Sequence, residues 1–311
     1  MPFPPRLRVF FAFFAIVAGL LAPSSVRSQD GVQTTRATNE RSTANAVGLR
    51  WFKLQLDSKA TMKMQGQTQQ IDAHTTIGYH RAPGDEEKRI EVGLDAINVK
   101  ASVNGKVQID SFQSKEKLVV IQGNQTQTVW AKDAEAPLQQ MLSDTFDYPA
   151  CVLIVDDEGE IAINESLLRP GAQSIEDQGI VANIVFFHAP FPAEKKSWNS
   201  TRRLSMGNGG FVEGELTYTT ASQDGSVHTV NVSGTLQNPL FQPAGTQLLL
   251  RDTSYEIAGS QSYDTDLGDW VSGDLVAELQ YDMATNEMPV GNVTGTIGIT
   301  LRQLDAAVTQ P

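Results

Sequence analysis

Three aspartates near the end of the sequence have the residue type and spacing to bind a cation. Asp264, Asp266 and Asp269 surround Gly268, and the spacing of the first pair places both carboxylates on one side of an extended segment. Oxygen atoms are the ligands that Ca²⁺ prefers. We therefore identify these aspartates as candidate metal ligands, with an ordinary solvated turn as the alternative interpretation.

A second acidic stretch runs from Asp156 to Glu160 and includes Gly159. It lacks the alternating ligands and the distal glutamate of an EF-hand loop. We interpret it as the solvated turn of a hairpin, and cation binding is the alternative.

The other polar residues do not form a recognisable catalytic motif. The histidines are His74, His80, His188 and His228, and no two have the spacing of a zinc pair on a helix. The sequence has no Gly-x-Ser-x-Gly elbow, and the glycine-rich segment 206–210 lacks the Lys-Ser/Thr of a phosphate loop. We therefore predict a protein that is not an enzyme, with no catalytic residue and no cofactor.

Cys151 is the only cysteine, so no intramolecular disulfide can form. Its apolar neighbours, from Val152 to Val155, indicate a buried side chain rather than a reactive thiol. The fold must therefore be stabilised by its hydrophobic core alone.

Apolar and polar residues alternate over most of the sequence, which is the pattern of half-buried β-strands. The alternation begins near Trp51, and its phase shifts near Ala96, where we expect a β-bulge or a strand break. Asn104-Gly105 lies between two alternating segments. Because both residues tolerate a positive φ angle, this dipeptide predicts a hairpin turn.

The middle of the sequence has a helical pattern instead. Residues from Asp133 to Phe146 predict a short helix with Asp133 as its N-cap, and a helical insert is expected near 171–189. The predicted class is mainly β (α+β): a curved antiparallel sheet, or two β lobes, with one or two central helices. We divide the chain into β-rich halves at 46–150 and 151–311.

The N-terminus has the pattern of a secretory signal peptide. Arg6 and Arg8 precede an apolar run from Val9 to Leu21, which is shorter than the roughly 20 residues that a membrane-spanning helix needs. We predict a signal peptide over 1–28 with cleavage after Ser28, a disordered leader over 29–45, and export to the periplasm or beyond. No second apolar run follows, so we expect no transmembrane segment in the mature chain.

The chain is acidic, with a formal net charge of −12. Cleavage of the signal peptide would remove three arginines and no acids, which takes the charge to −15. A surface of this charge repels phosphate backbones and anionic head groups. We therefore expect no nucleic-acid partner and no electrostatic attachment to membranes.

Several short motifs resemble those of a family of exported bacterial proteins of unknown function. They are the segment Val155–Gly159, Phe191-Pro192, Ser197-Trp198 and Tyr218. Lys195-Lys196 departs from this family, in which Gly-Asp would precede Ser-Trp. The strand-rich layout is also similar to that of periplasmic lipoprotein-carrier proteins, and this resemblance implies a curved sheet that covers helices and an apolar cavity. No functional residue carries over from either family.

We therefore predict a non-enzymatic envelope protein that binds an apolar ligand, such as a lipid, or a lipidated partner. Met62, Met64, Trp130 and Phe146 could line its cavity, with ordinary core packing as the alternative. A structural or protein-interaction module of the envelope is the second hypothesis. A hydrolase that uses dispersed carboxylates such as Asp264 and Asp266 is the third.

Overall fold

A computed structural model describes most of the chain from residue 49 to residue 308. The described ranges are 49–83, 89–122, 125–155, 161–163, 179–189, 191–207, 210–243, 246–286 and 288–308. The predicted signal peptide, the leader, the acidic turn at 156–160 and residues 171–178 of the predicted insert lie outside them.

The described residues form fourteen strands, two α-helices and one 3₁₀ turn. The first eight strands are β1 (Arg50–Met64), β2 (Gln67–Pro83), β3 (Arg89–Val103), β4 (Lys106–Ser114), β5 (Lys117–Gln122), β6 (Gln125–Trp130), β7 (Pro149–Val155) and β8 (Ile161–Ile163). The remaining strands are β9 (Ser197–Gly207), β10 (Gly210–Asp224), β11 (Val227–Phe241), β12 (Leu248–Asp264), β13 (Asp269–Thr285) and β14 (Met288–Leu304). The helices are α1 (Ala136–Phe146) and α2 (Ile180–Phe187), and the 3₁₀ turn is Ala131–Asp133.

All fourteen strands belong to one antiparallel sheet. Twelve of them follow the order β6-β5-β4-β3-β2-β1-β14-β13-β12-β11-β10-β9, while β7 pairs with β3 and β8 pairs with β7. Most neighbours are consecutive hairpins, but β1 and β14 come from the two ends of the described chain and pair in the middle of the sheet.

The predicted α+β class with central helices is wrong, because the described residues are essentially all-β. Helices α1 and α2 have 11 and 8 residues, whereas β12, β13 and β14 have 17 residues each. The helical periodicity marks two short segments that pack against the sheet. The strands pair continuously through β1 and β14 instead of forming separate lobes around a helical centre.

Helix α1 starts later than its sequence pattern predicts. Asp133 ends the 3₁₀ turn, and Glu135 occupies the N-cap position without a side-chain capping bond. Pro137 near the first position of α1 explains this start, because proline is favoured in the first turn, where its missing N–H costs nothing.

Two predictions about the N-terminal strands are confirmed. Asn104 and Gly105 have φ angles of 49° and 74° and form the turn between β3 and β4. The expected bulge lies at Asp95, since Gly78 pairs with Ala96 and Tyr79 pairs with Leu94. Asp95 is thus the extra residue of the bulge. It keeps the apolar side chains of β3 on the same face of the sheet before and after the shift in phase.

The sheet curls around α2, and we call the side that faces α2 the inner face. Asn183 in α2 accepts a hydrogen bond from the backbone of Ser205 in the end strand β9, while His188 just after α2 contacts Tyr79 in β2. Strands β9 and β2 are seven sheet positions apart, or about 34 Å along the sheet. Residues 183 and 188 are only about 8 Å apart along a helix, so the sheet must bend strongly.

Glycines allow the backbones of neighbouring strands to approach closely in the bent region. Gly259 in β12 has a φ angle of 151°, and a Cβ atom there would lie 2.2 Å from the carbonyl oxygen of Asp274 in β13. Gly234 in β11 has a φ angle of 153° and a similar position against Glu215 in β10. These backbone contacts exclude any other side chain.

A methyl group at Gly259 should therefore destabilise the protein. We expect Gly259→Ala to lower the free energy of unfolding by about 2–4 kcal/mol, because the strands must separate and the backbone is strained. Gly298→Ala is the matched control, since its Cβ would lie 3.8 Å from Asp57, at an ordinary contact distance. Urea unfolding of both variants tests this, and equal losses would contradict it.

Candidate functional site

The three predicted metal ligands do not converge on one point. Asp264 accepts hydrogen bonds from the backbone N–H groups of Asp266 and Leu267, at 2.9 and 3.3 Å, and so shapes the turn between β12 and β13. Asp269 is buried and points into the interior. Within the described residues, no group of three or more His, Cys, Asp or Glu side chains is arranged to hold a metal ion.

Asp269 instead forms the centre of a buried polar network. Its carboxylate accepts hydrogen bonds from Arg81, from Arg50 at 3.2 Å and from the backbone N–H of Trp270 at 2.8 Å. Arg50 and Arg81 lie directly opposite each other on β1 and β2. The carboxylate therefore offsets a repulsion between two like charges on adjacent strands.

His188 extends this network to the end of α2. Arg81 Nη1 lies 2.8 Å from His188 Nδ1, and Tyr79 Oη lies 3.0 Å from His188 Nε2. Because Arg81 can only donate, Nδ1 acts as an acceptor in the neutral imidazole, and Nε2–H donates to Tyr79. The ring also packs edge-on against Phe52, with 5.7 Å between the ring centroids.

The charges of this network are set by burial and by the two arginines. Burial and the positive charge of Arg81 lower the pKa of His188 to about 4, so the imidazole is neutral at pH 7. Burial by itself would raise the pKa of Asp269, but the positive charges of Arg81 and Arg50 lower it well below its usual range. Asp269 is thus an ionised carboxylate in the interior.

Aromatic rings cover the interior beside this network. Phe191 stacks on Tyr263, with 4.3 Å between the centroids, and contacts Trp198 and Trp270 edge-on. The indole N–H of Trp270 donates to the carbonyl of Ala189 at 2.6 Å. The segment after α2 is thereby fixed to β9, β12 and β13, and it closes this end of the curled sheet.

Farther along the inner face, a contiguous group of four residues in the middle of β1, β2 and β14 stays partly exposed. We call Ser58, Ala73, Gly295 and Ile297 the inner patch. Ser58 lies opposite Ala73 on one side and Ile297 on the other, whereas the flanking inner-face residues of the same strands, such as Leu56, are buried. The patch is small and mostly apolar, and its residues are accessible at the surface of the inner face.

A separate polar cleft of about 250 Å³ lies on the opposite face of β1–β3. Asp57 contacts His74 Nδ1 at 2.5 Å, and His74 Nε2 contacts the hydroxyl of Thr76 at 3.1 Å. Burial opposes the ionised form of Asp57, but the hydrogen bond from His74 lowers its pKa overall. His74 and Thr76 line the cleft from one face of β2, and Asp57, opposite His74 on β1, extends this chain of polar groups.

Three of the four predicted cavity residues contribute to the hydrophobic cluster, and one does not. Met62 and Phe146 are buried and Met64 is partly buried against the same core, whereas the side chain of Trp130 is 45% exposed on the end strand β6. Cys151 is buried, which confirms its interpretation as a core residue.

Sequence reasoning missed Arg50, Arg81 and His188, although a signal existed for Arg81. It continues the inward phase of Ile77 and Tyr79 on β2, where an apolar side chain is the rule. A charged residue in the buried phase of a strand indicates a paired or functional group.

Comparisons with known proteins give distant similarities. No protein-family model and no curated protein matches the sequence. A lipovitellin structure that concerns lipid–protein interactions is 12% identical, with a TM-score of 0.45 over 86% of this chain and only 26% of its own. Pseudomonas aeruginosa OpdQ is 7% identical, with a TM-score of 0.22 over 82% of this chain and 99% of its own.

The β domain of the Bordetella autotransporter BrkA is 8% identical, with a TM-score of 0.21 over 82% of this chain and 98% of its own. These values are too low to assign a fold family or a function. Among the described residues, neither helix has the length and apolar character needed to cross a membrane.

Removal of the Asp269 charge should destabilise the protein, because two arginines would lose their shared carboxylate. We expect Asp269→Asn to lower the free energy of unfolding by about 3–5 kcal/mol. Asp266→Asn, in the exposed turn, is the control, and we expect a change within about 0.5 kcal/mol. Equal urea midpoints for the two variants would contradict the central role of Asp269.

The lowered pKa of His188 predicts a loss of stability in mild acid. The unfolded chain binds the proton near pH 6.5, whereas the folded protein binds it only near pH 4. The contribution of His188 to the free energy of unfolding is therefore fully present above pH 6.5. It falls by about 3 kcal/mol as the pH drops to 4. Urea unfolding between pH 7 and 4 should show this slope, and His188→Gln should reduce it; an unchanged slope in the variant would refute the assignment.

Proposed function

We propose that the protein is an exported, non-enzymatic binding protein that takes an apolar ligand, such as a lipid or the lipid group of a partner, on its inner face. The observation that carries this proposal is the inner patch. It is an accessible, mostly apolar area on the concave side of a sheet, and the side chains that flank it along β1, β2 and β14 are buried.

The surroundings of the patch support a ligand site rather than a defect in packing. Inner-face side chains of β1–β3 and β9–β14 belong to one hydrophobic cluster, so an apolar ligand above the patch would continue this core. Burial of such a ligand is favoured by about 25 cal/mol for each Å² of apolar surface removed from water. Met62 and Met64 lie in the same part of β1, and methionine adapts to ligands of varied shape.

The network around Asp269 and the aromatic rings beside it close one end of this interior. Phe191 and the rings around it close the sheet near the turn between β12 and β13. A ligand would therefore be bounded at that end by aromatic rings and ion pairs. Pockets that are largely preformed, mostly apolar and bounded by a few polar groups are typical of small-molecule sites.

A tryptophan that fills the patch tests the proposal. We expect Ala73→Trp to weaken the binding of a fluorescent fatty acid by about tenfold or more, because the indole would occupy the ligand's space. Val276→Trp introduces the same side chain at a position that is 49% exposed on the outer face, and it should bind the probe like the wild type.

Thermal melts of both variants separate loss of binding from loss of folding. Absence of probe binding in the wild-type protein, or equal affinity in all three proteins, would refute the proposal. Wild-type affinity in Ala73→Trp together with weakened binding by Val276→Trp would also refute it, because the ligand would then lie on the outer face.

A further inference from the structure

Arg202 is a buried cation on the inner face of β9. It shares the inward phase of Trp198 and Leu204, and it is only 6% exposed. Its Nε and Nη2 atoms are buried and make no hydrogen bond to any of the described residues. Its cross-strand neighbour on β10 is Gly214, which has no side chain to offer.

The next residue, Arg203, is an arginine of the same strand that does have a charged partner. Arg203 points outward, pairs with Glu213 at 3.1 Å, and stacks over the ring of Phe211 at 4.7 Å. The exposed arginine thus has a carboxylate partner, although water could solvate it. The buried arginine, which needs a partner more, has none among the described residues.

The surroundings of Arg202 contain an excess of positive charge. Arg81 and Arg202 both act electrostatically on His188, and Asp269 is already bonded to Arg81 and Arg50. These residues carry three positive charges and one negative charge around a neutral imidazole. The Nε atom of Arg81 is also buried without a hydrogen-bond partner.

The two unpaired atoms of Arg202 define the shape of the missing partner. Nε and Nη2 lie on one edge of the guanidinium, and their N–H bonds are nearly parallel. This edge matches two oxygens of a carboxylate or a phosphate in a bidentate contact. Leu204 follows Arg202 on the inner face of β9, and Trp198 lies beyond Ser200 on the other side. These apolar side chains favour an anion attached to an apolar body.

We infer that Arg202 binds the anionic head group of an amphiphile, a carboxylate or a phosphate, whose apolar chain lies on the inner face. The inference rests on the proposed function and adds the chemical class of the ligand. The acidic exterior does not oppose such binding, because the head group would be held in the interior, where the local charge is positive.

Calorimetric titration of the full chain with dodecanoate and dodecanol tests this inference. The two ligands share one chain and differ in the head group. For the wild type we expect tighter binding of dodecanoate. Arg202→Met should weaken dodecanoate binding by about 10- to 100-fold and leave dodecanol binding unchanged, while Arg203→Met should change neither affinity.

Two further measurements separate the loss of a head-group contact from a loss of folding. Arg202→Met removes an unpaired buried charge, so the ligand-free variant should melt at or above the wild-type temperature. Arg202→Lys keeps the charge but loses the paired donors, and its dodecanoate affinity should fall between those of the wild type and Arg202→Met.

The outcomes separate the failure of this inference from that of the proposed function. If the wild type binds neither amphiphile, the proposed function fails and the inference fails with it. If both bind equally and Arg202→Met changes neither, only the inference is overturned. Acetate or inorganic phosphate that binds as tightly as dodecanoate would overturn the amphiphile as the source of the anion.

Discussion

The carboxylate of Asp269 connects strands that do not pair with one another. Asp269 begins β13, whereas Arg81 lies on β2, and β1 and β14 separate these strands in the sheet. Without the carboxylate, the buried Arg81 and the partly buried Arg50, which lie directly opposite each other, would repel each other. His188 joins the same network at the end of α2, so this charge contributes to the position of the helix.

The curvature of the sheet follows from this connection and from the glycines. Glycine kinks and bulges let a sheet of long strands curve, and Gly259 lies where the backbones of β12 and β13 approach closely. The bend turns one face of the sheet into an interior, and the ring of Phe191 closes it at the end that contains Asp269. The inner patch and Arg202 then lie on the walls of one curled sheet, with apolar surface on one wall and an unpaired cation on the other.

Local features of the fold were predictable from the sequence, and long-range ones were not. The turn at Asn104-Gly105 and the bulge at Asp95 depend on neighbouring residues, so their signals are present in a few positions. The pairing of β1 with β14 joins segments more than two hundred residues apart, and alternation alone does not specify a partner strand. The α+β class failed because the helical periodicity marks only two short segments, of 11 and 8 residues, in an otherwise all-β structure.

The site was predictable only in part. The alternation of apolar and polar residues indicates which side chains are buried, but it does not indicate which side chains contact each other. Asp269 was identified for its carboxylate, but its role as a counter-ion depends on arginines that are distant in sequence. Arg81 and Arg202 share a usable signal, since each lies in the inward phase of its strand. Trp130 shows the limit of this reasoning, because its strand lies at the end of the sheet, where the core no longer covers it.

A ligand held in the curled interior should remain bound when the protein is purified gently from its own host. Native mass spectrometry of that preparation measures this directly. The expected result is an added mass of lipid size that disappears when the same sample is denatured. A mass equal to that of the polypeptide alone, under conditions that preserve non-covalent complexes, would contradict a ligand-binding interior.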